Sequence, residues 1–297
     1  MRRWNYFYHG LSVSAAFPVR EWDAFENAET SAASDVVISL GDSSVPASEA
    51  EYRFSVPDLG SVHVRGGREI EVAPLPGVQP DRLHPWLAGS AWAALCYQRG
   101  FLMLHASAVA FANGAIAFCG PAQSGKSTLA AHLHALGHAL VGDDLCRVEL
   151  PAARPAIIYP SAPRFKLSSH TLAGLDPDIK TLQSDVDSRT GKTLLWTRNR
   201  SVNPLPLRVI YLLNWGEWRQ HQLTGSAALR GLLLAGSYRG DLIDSMKRSA
   251  AHVQLCVEFL RRVPVWELTR PRELMRMDEI VRFVTDRSAA ERSFVGL

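Results

Sequence analysis

The stretch FCGPAQSGKSTLAAHL, residues 118–133, constrains this 297-residue chain more than any other. Gly120 to Ser127 reads GPAQSGKS and fits G-x-x-x-x-G-K-[ST] at every fixed position. At this chain's composition the pattern arises by chance in roughly one such chain in a few hundred. It has physical content where a strand feeds it and a helix leaves it. Both are expected here, from AIAF ahead of it and from TLAAHLHAL, which carries alanine and leucine at helical spacing up to Gly137. The loop Gly120, Pro121, Ala122, Gln123, Ser124, Gly125 and the helix start Lys126, Ser127, Thr128 are then expected to surround phosphate oxygens. Lys126 would reach the outer phosphates, and Ser127 would present its hydroxyl to Mg²⁺. ATP and Mg²⁺ are the cofactors this reading calls for.

A phosphate cradle does not choose a reaction, so the groups converging on it matter. HALVGDD reads as a short strand one helix after the loop, and its end delivers Asp143 and Asp144. One carboxylate can hold the metal, directly or through water, while the other accepts a proton from an incoming hydroxyl. Spacing alone supports either assignment. FLMLHASAVAF and AIAFCG flank Asn113-Gly114, a hairpin signal that would lay His105 beside the strand feeding the loop. Between Ser161 and Arg200 lie seven Lys or Arg and four Asp. Arg164 and Lys166 in PRFKL, with Arg189 and Lys192 in DSRTGKTLLW, are candidate contacts to a transferring phosphoryl group or its acceptor.

The order LHASAV, Asn-Gly, FCGPAQSGKSTLA, HALVGDD, YPSAPRFKL resembles the HPr serine kinase/phosphorylase catalytic domain. It is closer to the shorter bacterial relatives, some of which phosphorylate a serine of a ribosomally made precursor peptide, lasso-peptide precursors included. The likeness covers about residues 85–290. It implies an α/β fold, a P-loop kinase domain related to the phosphoenolpyruvate carboxykinase core. By resemblance, Lys126 and Ser127 contact phosphate and Mg²⁺. Asp144 is the base that takes the seryl proton, Asp143 its metal-side companion, and His105 the histidine near the acceptor. The E-x-R-G-x-G-like segment of true HPr kinases has no match here, so HPr itself is not implied as substrate. Such relatives assemble as hexamers, which makes a homo-oligomer an expectation of the resemblance alone.

Organisation and composition fit around that centre. Residues 1–80 read as a small β-rich lobe, with EYRFSVP and SVHVRGG alternating, whose sheet edges suit pairing with a peptide. Residues 81–297 read as the catalytic domain, opening with an apolar helix from Pro80 to Arg99. Lys and Arg number 32 against 29 Asp and Glu, and no basic stripe or reading motif appears, which excludes a nucleic-acid enzyme. No run of 18 apolar residues exists, and no export signal opens the chain, so a cytoplasmic protein without a membrane span is expected. Four scattered cysteines read as buried thiols. The reading that results is an ATP-dependent serine kinase acting on a peptide or small protein. A kinase of a free hydroxylated metabolite and a nucleotide-gated NTPase switch are the alternatives.

Overall fold

The computed structural model describes residues 2–27, 34–41, 51–175, 182–187, 189–272 and 277–290. The chain divides into two compact units. One holds residues 1–103 and 238–255, the other residues 104–237 and 256–297. The architecture is α/β, with mixed sheets and helices.

The first unit is built on a six-stranded sheet ordered β1-β2-β3-β6-β5-β4. Its strands are β1 (Trp4–Tyr8), β2 (Leu11–Ala15), β3 (Val36–Leu40), β4 (Tyr52–Val56), β5 (Gly60–Arg65) and β6 (Glu69–Pro74). Alternation sets the inner face: in LSVSA, Leu11, Val13 and Ala15 are buried and the serines half-buried. The turn expected at Gly66-Gly67 closes the β5–β6 hairpin, with Arg65 opposite Glu69. The apolar segment after Pro80 is not one regular helix. It runs through a 3-10 turn (Pro80–Leu83), α1 (His84–Trp86), a wide turn (Leu87–Ala91) and α2 (Trp92–Gln98). Pro85 supplies no N–H to a regular ladder there.

This segment falls in the same compact unit as the β-rich strands. Trp92 donates from Nε1 to His9 Nδ1 at 3.0 Å and meets Trp22 edge-on at 4.8 Å. Gln98 accepts from Gly67 N at 2.7 Å and donates to Val64 O at 3.0 Å. Both contacts join residues far apart in sequence, which periodicity alone does not report.

β7 (Leu102–Leu104) runs up to the unit boundary. The second unit then adds β8 (Ala106–Phe111), β9 (Gly114–Cys119), α3 (Lys126–Ala135), β10 (Leu140–Asp143), β11 (Cys146–Glu149) and β12 (Ile157–Ile158). Next come β13 (Arg164–Leu167), α4 (Ser169–Ala173), β14 (Ser184–Val186), β15 (Thr193–Trp196), β16 (Leu205–Trp215), β17 (Arg219–Leu223) and β18 (Val265–Arg270). In its main sheet β10, β8, β9 and β16 lie side by side, and β18 flanks β16. β8 and β9 form the hairpin expected around Asn113, with Ala112 and Asn113 as the turn between Phe111 and Gly114. β9 runs parallel to β16, and β16 parallel to β18. A core of Phe118, Leu129, Leu133, Phe165, Tyr211, Leu213, Leu268 and Val284 joins this sheet to α3, β13 and the helix Met277–Ala290. A separate small sheet is ordered β13-β15-β14. Among the described residues no helix is long and apolar enough to cross a membrane. All four cysteines are buried free thiols.

Candidate active site

The pairing of strands puts one end of each of five strands on the same edge of the sheet. β9 ends at Cys119 and leads into Gly120. Antiparallel β8 begins opposite it, with Ala106 facing Cys119, so His105 stands at that edge too. β10 pairs antiparallel with β8, Asp143 facing Ser107, and delivers Asp144 there. β16 and β18, running with β9, end at the facing pair Trp215 and Arg270. Laterally the order is therefore Asp144, His105, the glycine-rich loop, Trp215, Arg270. A cavity of about 530 Å³ lies along this edge, lined by His105, Lys126, Ser127, Asp144, Lys166 and Trp215 among others.

The loop has the strand before it and the helix after it that its pattern demands. Gly125 precedes α3 with φ +83°, and a Cβ there would lie 2.3 Å from Arg270 Nη2. Gly120 has φ +147°, and a Cβ would lie 2.8 Å from Leu213 O. Only glycine fits both the backbone and the space. Arg270, wholly buried, donates to Ser124 O at 2.9 Å, and Trp215 Nε1 donates to Gln123 O at 3.1 Å. These two contacts fix the loop from the β16–β18 side. Burial lowers the Arg270 pKa to about 10, still far above neutrality.

Lys126 lies mostly buried, donating from Nζ to Gly120 O at 2.8 Å and Pro121 O at 3.1 Å. Burial lowers its pKa, opposed by Cys119, Asp143 and Asp144. Cys119 is pushed up to about 12 by burial, so it stays a thiol. Ser127 Oγ donates to Asp143 Oδ1 at 2.8 Å, Ser107 Oγ donates to the same oxygen, and Lys166 N donates to Oδ2 at 2.7 Å. Asp143 is buried and filled by these donors, and it does not line the cavity.

Asp144 does line it. Its backbone is left-handed, φ +77°, and its side chain is 25% exposed. Oδ1 lies 3.5 Å from His105 Nε2 and Oδ2 3.9 Å from Lys166 Nζ. Burial pushes its pKa up, but the His105 hydrogen bond and the charges of Lys166 and Arg164 outweigh burial and hold it well below the usual carboxylate range. Asp144 is thus an ionised carboxylate facing the cavity, with a cation on one side and an imidazole on the other.

Of the remaining sequence candidates, Lys166 and Lys192 line the cavity, whereas Arg164 and Arg189 do not. Arg164 is buried on β13, and the half-buried Arg189 donates its backbone N–H to Asp187 at 2.8 Å. Thr128 turns its hydroxyl to Thr171, 3.3 Å away. Pro121, Ala122 and Gln123 form the exposed crest of the loop, and Ser124 is buried beneath it.

Several residues at this edge escape a sequence reading. Asp187 is buried and ion-paired with Lys166, while its Oδ1 receives the backbone N–H groups of Arg189 and Thr190. Burial raises its pKa, but the Lys166 contact outweighs this and leaves the carboxyl lowered. Trp215, Arg270 and Arg272 form the opposite end of the cavity. For Ser107 a signal existed, since pairing HASAV with LVGDD sets it across from Asp143.

No family model matches the sequence, and no curated protein matches it. Among solved structures the chain is similar to the Hpr(Ser) kinase/phosphatase from Coxiella burnetii, at 12% identity and a TM-score of 0.33. The match covers 64% of this chain and 98% of that one. At that level the likeness decides nothing, and the residues themselves carry the argument.

Proposed function

We propose that this chain is an ATP-dependent, Mg²⁺-assisted kinase that phosphorylates a serine hydroxyl of a peptide or small protein, with a P-loop domain of the HPr kinase type. The observation that supports this best is the shared cavity of Lys126, Ser127, Asp144, His105 and Lys166. A cradle alone would suit any nucleotide protein. A cradle facing an ionised carboxylate between a histidine and a lysine suits transfer to an alcohol.

The donor set fits a hard cation with few protein ligands: a serine hydroxyl, backed by a carboxylate. Ser127 would hold Mg²⁺ directly. Asp143, already accepting from Ser107, Ser127 and Lys166 N, would act behind it by orienting that hydroxyl. When bound, the ion neutralises charge on the phosphate oxygens. Among the described residues no group of three or more His, Cys, Asp or Glu is set for a metal.

The chain's own residues do the rest. Loop N–H groups and Lys126 hold the phosphates and stabilise accumulating charge. Asp144 accepts a hydrogen bond from the seryl hydroxyl, aligns it, and takes its proton as the new P–O bond forms and the bond from the γ-phosphorus to the leaving ADP oxygen breaks. Its low pKa makes it a weak base. That is adequate because phosphoryl transfer through a loose transition state asks mainly for alignment, and the proton leaves late. His105 and Lys166 keep Asp144 ionised and aimed.

The deciding experiment incubates the protein with γ-labelled ATP and the small peptides encoded beside its gene, alongside Asp144→Asn. Label on a peptide serine, with ATP affinity kept but transfer lost in Asp144→Asn, is the expected result. ATP hydrolysis without labelled peptide would point to the switch reading. Undiminished transfer in Asp144→Asn would remove Asp144 from its role.

A further inference from the structure

We infer that Trp215 and Arg272 form the nucleobase subsite of this cavity, so that a nucleoside triphosphate lies along the sheet edge with its base over the ends of β16 and β18. This rests on the reading of the cavity as a nucleotide site, and adds the direction in which the nucleotide lies.

The lateral order of strand ends supplies the direction. Acid and histidine stand at the β10–β8 end, the cradle at β9, and aromatic and guanidinium groups at the β16–β18 end. Neighbouring strands lie about 4.8 Å apart, so the three steps from β10 to β16 span about 14 Å and the fourth, to β18, brings this to about 19 Å. An extended nucleoside triphosphate has a reach of that order. With its terminal phosphate directed to Asp144 and its middle on Lys126, the base falls at Trp215.

The groups there suit a flat heterocycle. Trp215 is held by its bond to Gln123 O, and Arg270 lies 4.2 Å from the ring centroid, itself fixed by Ser124 O at 2.9 Å. The indole is therefore locked in place before any ligand arrives, which lowers the ordering cost of binding. Arg272 differs from Arg270. It is exposed, it lines the cavity, and its guanidinium rests 5.6 Å over the same ring. A planar cation beside an indole is a surface on which every base can stack, because every base has a π face. Loop anchoring is done by Arg270 through Ser124 O, whereas the exposed Arg272 lines the cavity.

Binding of three ligands to the full chain tests this: ATP, ADP and inorganic tripolyphosphate, each with Mg²⁺. The wild type should bind ATP more tightly than tripolyphosphate. Arg272→Ala, an exposed change that leaves the core alone, should weaken ATP and ADP about tenfold, the scale of one lost stacking or cation–π contact. Tripolyphosphate affinity should stay within about twofold, because a charge beyond about 8–10 Å in solvent is screened. Trp215→Leu also removes the Gln123 O anchor, so it should weaken both ligands, ATP at least tenfold more than tripolyphosphate, and abolish any fluorescence quenching by ATP. Equal losses for ATP and tripolyphosphate would make Arg272 a phosphate contact and overturn the inference. So would unchanged ATP affinity in Arg272→Ala. A wild type that binds ATP and tripolyphosphate equally well would sink the base subsite and spare the cradle, whereas one that binds neither would sink both.

Discussion

Replacing Asp187 by Asn tests how the candidate base is held. Lys166 and Asp187 form an ion pair whose side chains are only 8% and 5% exposed. Removing one partner of such a pair costs about 3–5 kcal/mol, because the other charge is left buried without compensation. Asparagine is the informative replacement, since its carbonyl can still accept the Arg189 and Thr190 N–H groups that shape the turn. The loss is then that of the charge. Part of it is recoverable: Lys166 Nζ already lies 3.9 Å from Asp144 Oδ2 and can close on it, a gain of about 1.5–3 kcal/mol for a charged hydrogen bond. A net destabilisation of about 1–3 kcal/mol follows. The same shift ties Asp144 to the lysine and makes it a poorer acceptor, so phosphoryl transfer should drop at least tenfold while ATP affinity holds. Urea unfolding near pH 7, run beside the transfer assay, measures both. Adding Lys166→Met to Asp187→Asn should restore stability by removing the stranded charge. A stability change under about 0.5 kcal/mol, the range of ordinary surface substitutions, would refute the reasoning, as would a double variant less stable than Asp187→Asn alone.

Three further outcomes are expected. Gly125→Ala sets a Cβ 2.3 Å from the buried Arg270 guanidinium at φ +83°, so the melting temperature should fall and ATP binding should vanish in a titration. The left-handed backbone alone costs about 1–2 kcal/mol. Ser127→Ala leaves Asp143 its Ser107 and Lys166 N donors, so stability should fall by no more than about 1.5 kcal/mol, whereas the Mg²⁺ concentration needed for half-maximal transfer should rise at least tenfold. His84, His134 and His252 all have pKa values lowered by burial, so the unfolded chain takes up their protons first as the solution acidifies. Their contribution to stability is complete above about pH 6.5 and declines below it, by at most about 1.4 kcal/mol per pH unit for each. Denaturation midpoints measured from pH 7.5 to 5 should show this fall, and His134→Gln should make it shallower.

Local features of the sequence carried the centre of the site. The glycine-rich stretch fits its pattern residue by residue, the Asn113 turn closes the hairpin it announces, and GDD ends a strand as expected. These are properties of contiguous residues, where backbone preference and hydrophobic alternation decide. What stayed hidden depends on strand order. Arg270 meets a loop residue 146 positions before it in the chain, and Trp215 one 92 positions before it, because β16 lies beside β9 and β18 beside β16. Asp187 reads as one of several acids in a mixed-charge stretch until the β13–β15–β14 sheet brings it to Lys166. The segment after Pro80 failed for a related reason. A helix apolar on every side declares that it will be covered, without saying which sheet will cover it.

Asp144 sits in a backbone conformation that glycine tolerates better than aspartate does, φ +77°. The role proposed for it and its conformational preference therefore pull in different directions. Swapping it for glycine would relax the main chain but would strip His105 and Lys166 of the carboxylate they favour, so folding pulls both ways at this position. A library at this codon sorted for folded protein alone should admit glycine and asparagine beside aspartate, whereas a screen for product should return aspartate alone.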